Sequence, residues 1–251
     1  MKRPIYFKQL EVGPMQNYTY LLGDPTTREA AVVDAAWDVD AIVRLAEADG
    51  YRITRDLVTH FHPDHLGGDL MGHQILGAAE LVARMPAKVV IHKAELPFVH
   101  RLTGLSASDL IAVEGGDEVA IGALKVKFLH TPGHTPGSQC FLVGNALVSG
   151  DTLFIGSCGR VDLPGSNPED MYRSLTDVLG TLPDEMLLYP GHNYADRPRS
   201  TIGEEKRGNM MMRFRNLQDF LSVMGVGARR TSTSSARRRR AATCRHACSP
   251  R

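Results

Sequence analysis

The chain has no run of about 18 apolar residues, so no segment of it reads as a membrane-crossing helix. Its first residues, Met1-Lys2-Arg3-Pro4-Ile5-Tyr6-Phe7, carry two charges and no apolar stretch, so no secretory leader is expected. Cysteine is scarce, four in 251 residues without regular spacing, which argues against a disulfide framework and for a reducing compartment. A cytoplasmic location is expected from these absences. No internal repeat recurs at a fixed period. Acidic residues are missing beyond residue 228, where eight arginines fall. The chain total of 29 basic and 28 acidic residues therefore hides a body, 1–228, with 21 basic against 28 acidic residues, formally −7.

Hydrophobic content of 43% and charged content of 23% are ordinary for a globular protein, and 251 residues suffice for one large layered domain. Tyr18–Leu22 and Ala30–Asp34, separated by Gly23-Asp24-Pro25, predict a β-hairpin. Asp38 opens a predicted helix whose apolar face is Ile42, Leu45 and Ala46. Leu70 to Met85 reads as another helix and Val89–His92 as a strand. Between Ile111 and Leu129, short strands are separated by Gly115-Gly116-Asp117 and Gly122. Asn167 is a predicted N-cap for a helix from Pro168 to Leu179, with Glu169 and Asp170 in its first turn. His73, His92 and His100 have no motif around them and are expected to be structural or solvated.

The stretch Thr59-His60-Phe61-His62-Pro63-Asp64-His65 puts three imidazoles and a carboxylate within six residues. It follows the apolar strand Arg55–Thr59 and precedes Leu66-Gly67-Gly68. Alternation on an extended chain would send His60, His62 and Asp64 to one face, with His65 brought round by the turn. Imidazole and carboxylate suit zinc and similar first-row metals. A merely His-rich surface loop would lack partners, but three follow in order. His134 lies between two Pro-Gly turns. Asp151 ends the apolar strand Ala146–Gly150. His192 follows Met186–Gly191, again strand, turn, ligand.

These motifs, His-x-His-x-Asp-His, Gly-His-Thr-Pro-Gly, Ser-Gly-Asp and Pro-Gly-His, resemble those of the metallo-β-lactamase superfamily over residues 5 to 225. The resemblance implies an α+β fold, the four-layer αββα sandwich. It implies one metal on His60, His62 and His134, a second on Asp64, His65 and His192, and Asp151 bridging them. The cofactor expected is two divalent ions, zinc first, with iron or manganese as alternatives. Two such ions about 3.5–4 Å apart would hold a bridging hydroxide at neutral pH. That hydroxide would attack a carbonyl, with Asp64 as a catalytic residue that orients it or accepts a proton. Cys140, inside the apolar run Gln139–Val143, is expected to be a core residue. Cys158, in the loop after Asp151, is a candidate substrate contact.

The loop Gly156–Gly165 is similar to that of the glyoxalase II-like branch, whose members cleave S-acyl glutathione thioesters. Long members carry Lys and Tyr where this chain has Arg160 and Asp162, and they add a helical C-terminal domain. Arg160 would clamp a substrate carboxylate or pair with Asp162. Tyr194 would line the pocket or simply pack. The expected partner is a small-molecule thioester, with no membrane or nucleic-acid partner. Persulfide dioxygenases share the motifs and Cys-Gly-Arg-x-Asp; their single iron would take His60, His134 and Asp151. A third possibility is a non-catalytic protein that binds an anionic partner through its tail. The domain is thus expected over 1–228, followed by a basic tail, 229–251, too poor in apolar surface to fold alone. That tail reads as an out-of-frame or unconstrained extension, as an arm for nucleic acid or another anionic surface, or as a metal motif on Cys244, His246 and Cys248.

Overall fold

A computed structural model describes residues 4–225. The basic tail and its Cys244, His246 and Cys248 lie outside the described residues. The N-terminal half begins with three antiparallel strands, β1 (Tyr6–Val12), β2 (Asn17–Asp24) and β3 (Glu29–Val33). Helix α1 (Val39–Ala48) then returns the chain to β4 (Arg52–Leu57), parallel to β3. After the turn α2 (Pro63–Leu66) and helix α3 (Ala78–Arg84) comes β5 (Lys88–His92). Helix α4 (Leu96–Thr103) leads to β6 (Leu110–Val113). These strands lie side by side in the order β1 to β6.

The C-terminal half is a second six-stranded sheet. Its strands are β7 (Glu118–Ile121), β8 (Leu124–His130), β9 (Gln139–Val143), β10 (Ala146–Gly150), β11 (Leu187–Pro190) and β12 (Ser200–Thr201). They too lie in chain order. The crossover from β10 to β11 carries α5 (Pro168–Arg173), and α6 (Ile202–Gly208), α7 (Met210–Arg213) and α8 (Leu217–Val223) follow β12.

Period-two alternation explains the layering. On β2 and β3, Tyr20, Leu22, Ala31 and Val33 face the other sheet, where they meet Phe128, Phe141, Val143 and Val148. The intervening Leu21, Ala30 and Val32 face outward against Val39, Ile42 and Ala46 of α1. On the far side, Cys140, Leu147 and Leu188 face Met171, Ile202 and Phe220. The result is α, β, β, α, as the motifs imply. Cys140 is fully buried in this packing, as expected of a core residue.

Asp38 does cap α1, its carboxylate accepting from Ala41 N at 2.9 Å. Asn167 likewise caps α5, accepting from Glu169 N and Asp170 N. The helix expected over Leu70–Met85 is not continuous. Residues 68–75 form a small hairpin, Gly68–Leu70 against His73–Ile75, and only Ala78–Arg84 is helical. Met71 and Gly72 take positive φ of 53° and 86°, which an α-helix cannot contain. Gly67 and Gly77 then pack backbone to backbone, and a Cβ on Gly67 would lie 2.8 Å from the Gly77 Cα. Helix α8 buries Phe220 completely before the described residues end. Truncation after Gly227 is expected to leave the melting temperature within about 2 °C of the full chain, since the Arg-rich sequence beyond 228 is too poor in apolar surface to fold alone and carries none of the ligand motifs. A larger fall in a thermal melt would make the tail part of the domain.

Candidate metal centre

The strands β4, β8, β10 and β11 end on the same side of the sandwich, and the chain leaving each delivers a donor. His60 and His62 follow β4, His134 follows β8, Asp151 follows β10 and His192 follows β11. Asp64 and His65 are delivered differently from expectation. For Asp64 the strand alternation does not continue, and for His65 the expected turn is a helical one: both sit on α2, which Pro63 opens at its first position with His62 as N-cap. The helical turn aims both side chains into the same space. All the donors except the half-buried His62 are buried.

Three groups of potential ligand atoms lie within 4.8 Å of one another: His60, His62 and His134; Asp64, His65 and His192; and His60, His65 and Asp151. Asp151 lies 3.5 Å from His134 Nε2, 3.4 Å from His192 Nε2 and 3.3 Å from His65 Nε2, so it stands between the first two groups. A Cβ on Gly191 would strike the Asp151 carboxylate, which is why glycine precedes His192.

The outward nitrogen of four imidazoles is already occupied. His65 Nδ1 meets Asp34 Oδ2 at 2.8 Å, His134 Nδ1 meets the Arg160 carbonyl at 2.8 Å, and His192 Nδ1 meets the Met15 carbonyl at 2.9 Å. His60 Nδ1 lies 3.0 Å from Thr59 Oγ1, which donates onward to Asp34 at 2.7 Å. Each Nδ1 must therefore carry the proton, and each Nε2 faces inward, where it would offer a lone pair to a cation in place of a proton. The inward atoms crowd: His60 Nε2 is 3.0 Å from His62 Nδ1, and His65 Nε2 is 3.1 Å from His192 Nε2. The buried atoms His134 Nε2 and Asp151 Oδ1 have no hydrogen-bond partner among the described residues. Converging lone pairs and orphaned acceptors fit divalent cations.

The charges agree. Burial and the neighbouring imidazoles hold His60 well below the usual histidine range, and burial, with His134 beside it, holds His62 down to about 4. Both are neutral donors at pH 7, as metal binding requires. Burial alone would raise Asp64 and Asp151. Adjacent imidazoles overcome it, His65 for Asp64 and His65 with His192 for Asp151, and hold both carboxyls below their ordinary values.

The supporting residues Asp34, Asn17 and Glu95 were not anticipated from sequence. Asp34 accepts from His65, Thr59 N and Thr59 Oγ1. Its signal was present but unread, a carboxylate closing the apolar strand Ala30–Val33 just as Asp151 closes Ala146–Gly150. Asn17 donates to Asp64 Oδ2 at 3.0 Å while its own oxygen accepts from the Trp37 indole at 3.0 Å. Glu95, fully buried, accepts from Phe61 N at 2.8 Å, from Thr135 Oγ1 at 3.1 Å and from Gly137 N. It thereby ties the His60–His62 segment to the His134 loop. No local pattern marks it. Burial pushes its carboxyl up to about 6. Glu95→Ala would strand the Gly137 and Phe61 amides at roughly 1–3 kcal/mol each and remove one of two partners of Thr135 Oγ1. It is expected to lower stability by about 3 kcal/mol or more in a denaturant titration of metal-free protein; an unchanged midpoint would refute the strut.

Above the donors lies a cavity of about 610 Å³. Arg160 and Tyr194 line it, as anticipated. Tyr194 stacks on the His192 ring, centroids 4.6 Å apart. Arg160 pairs in two-pronged fashion with Asp162, at 2.9 and 2.8 Å, so the ion-pair alternative is realised. Cys158 does not line the cavity but packs against the outer apolar cluster, a placement that does not favour its expected role as a substrate contact.

A model of the metallo-beta-lactamase superfamily matches residues 12–192. The chain is 38% identical to hydroxyacylglutathione hydrolase of Maricaulis maris over 183 residues, 72% of this chain and 63% of that protein. It is 30% identical to the human mitochondrial persulfide dioxygenase ETHE1 over 227 residues, 88% of this chain and 81% of that protein. Among solved structures, ETHE1 from Myxococcus xanthus superimposes with a TM-score of 0.75 at 35% identity, covering 90% of this chain and 92% of that one. With the donor groups above and the family match, the chain is a metal-dependent enzyme of hydrolase type and belongs to the metallo-beta-lactamase superfamily.

Proposed function

We propose that the protein hydrolyses a small thioester, with S-acyl glutathione as the first compound to test. The observation that carries this reading is the completeness of both donor groups, with Asp151 between them. Two divalent ions bound there, zinc first, supply an acidified water and an electrophile for the carbonyl oxygen. The chain's own residues orient and exclude. Asp64, held ionised by His65 and Asn17, suits orientation of the attacking water more than lasting storage of its proton. Among the described residues neither cysteine competes as a nucleophile, because burial pushes the thiols of Cys140 and Cys158 up to about 11 and 12, and neither is a thiolate at neutral pH. The likeness to the Maricaulis maris hydrolase supports the same reading.

Elemental analysis of protein purified without added metal, with turnover of S-D-lactoylglutathione, tests this. About two ions per chain with cleavage bears it out. One iron per chain with oxygen uptake on glutathione persulfide would assign instead the reaction named for the human relative. Arg160→Ala is expected to raise KM severalfold while kcat stays within about twofold. The guanidinium is 67% exposed and shared with Asp162, so solvent screening and the ion pair keep its contact to substrate weak. Wild-type kinetics in the variant would remove Arg160 from substrate binding and leave the reaction standing.

A further inference from the structure

Beyond its donors, the cavity over the metal centre has walls of one chemical kind. Met15, Leu70, Met71, Phe154, Leu163 and Tyr194 supply most of the lining, and Arg160 is the one charged non-donor among the described residues there. Three of these side chains are left open to water: Met71 is 93% exposed, Tyr194 56% and Met15 38%. They come from separate excursions of the chain, the turn at Gly13–Gln16, the hairpin tip at Met71-Gly72 and the segment after His192. Met71 sits at φ 53°, a backbone conformation that glycine or asparagine takes with less strain. Large apolar groups exposed together at the mouth of a cavity mark a binding surface, and here its floor is the donor cluster itself. The lone cation is already matched by Asp162.

We infer that the acyl group of the substrate is an unbranched apolar chain of several carbons, laid outward from the metal centre between Met15 and Met71. This rests on the thioesterase reading. Hydrolysis then adds water across the C–S bond, hydroxyl to the acyl carbon and proton to the departing sulfur, releasing a fatty acid and a thiol. Unbranched, polarisable methionines adapt to such a chain, and a cavity of about 610 Å³ accommodates one beyond the reacting carbonyl.

The test compares acetyl, butyryl, hexanoyl and octanoyl thioesters of glutathione and of N-acetylcysteamine on metal-loaded protein. On both carriers kcat/KM is expected to rise roughly two- to fourfold per added methylene. Met71→Asn suits the left-handed backbone and removes only an exposed side chain. It is expected to lower the octanoyl-to-acetyl ratio at least about threefold with metal content unchanged. A flat or falling series, S-D-lactoylglutathione outpacing the octanoyl esters, or a ratio that Met71→Asn leaves alone would overturn the inference. If no thioester is cleaved, calorimetry with S-octyl and S-methyl thioethers of N-acetylcysteamine separates the two claims. An octyl preference above tenfold keeps the apolar site and discards the thioesterase reading; equal binding discards the apolar site.

Discussion

Asp151→Ala is expected to abolish turnover and to lower bound metal from about two ions per chain to fewer than one. Its carboxylate approaches imidazoles from both donor groups at 3.3–3.5 Å, so each ion held there would lose a ligand. The bound water would lose its acidification from about 15.7 to about 7, and kcat/KM should fall by on the order of a thousandfold or more. The variant also leaves His65, His134 and His192 without the carboxylate that offsets their crowding. Elemental analysis and kinetics on the same preparation check the coupling. Two ions retained in the variant would dismiss the bridging role, whatever happens to the rate.

Asp34→Ala is expected to produce the next largest effect, although Asp34 is no donor to the ions. Its two oxygens serve His65 Nδ1 at 2.8 Å and both Thr59 N and Thr59 Oγ1 at 2.7 Å. All three residues are buried, Asp34 at 4% exposure and His65 at 0%. Removal leaves the His65 ring free to turn, so affinity for the ion on Asp64, His65 and His192 should fall about 10–100-fold. Breaking the buried pair should cost a further 3–5 kcal/mol or so of stability. His65 makes the sign clear. Burial works against its charge, but Asp64, Asp151 and Asp34 outweigh burial and raise it well above the usual histidine range in metal-free protein. Chelator competition and a denaturant titration of the metal-free variant measure the two effects. Affinity within twofold of wild type would show that Asp34 merely fills space.

The seven candidate donors, which the fold brings into shared groups, were legible because each is set by local chemistry. A strand end, a proline-glycine turn and the next side chain are neighbours in the chain, and the same few residues decide all three. Misreadings arose where two local rules competed. Alternation predicted Asp64 on the face of an extended strand, but Pro63 opens a helical turn there. Apolar spacing predicted a helix through Leu70–Met85, but Met71 and Gly72 at positive φ and the close pairing of Gly67 with Gly77 interrupt it.

The supporting residues were illegible for a different reason. Asp34 reaches His65 across 31 positions, Asn17 reaches Asp64 across 47, and Glu95 reaches Gly137 across 42. No periodicity encodes such contacts, which depend on how two sheets and their loops pack. The same division separates Cys158 from Arg160, two residues apart, one turned into the outer apolar layer and the other onto the cavity rim. Sequence alone carried the identity and order of the donors, because those follow from turns and strand ends. Tertiary structure decided which nitrogen of His60, His65, His134 and His192 faces inward, because Nδ1 of each is claimed by an acceptor that folding holds within hydrogen-bond reach.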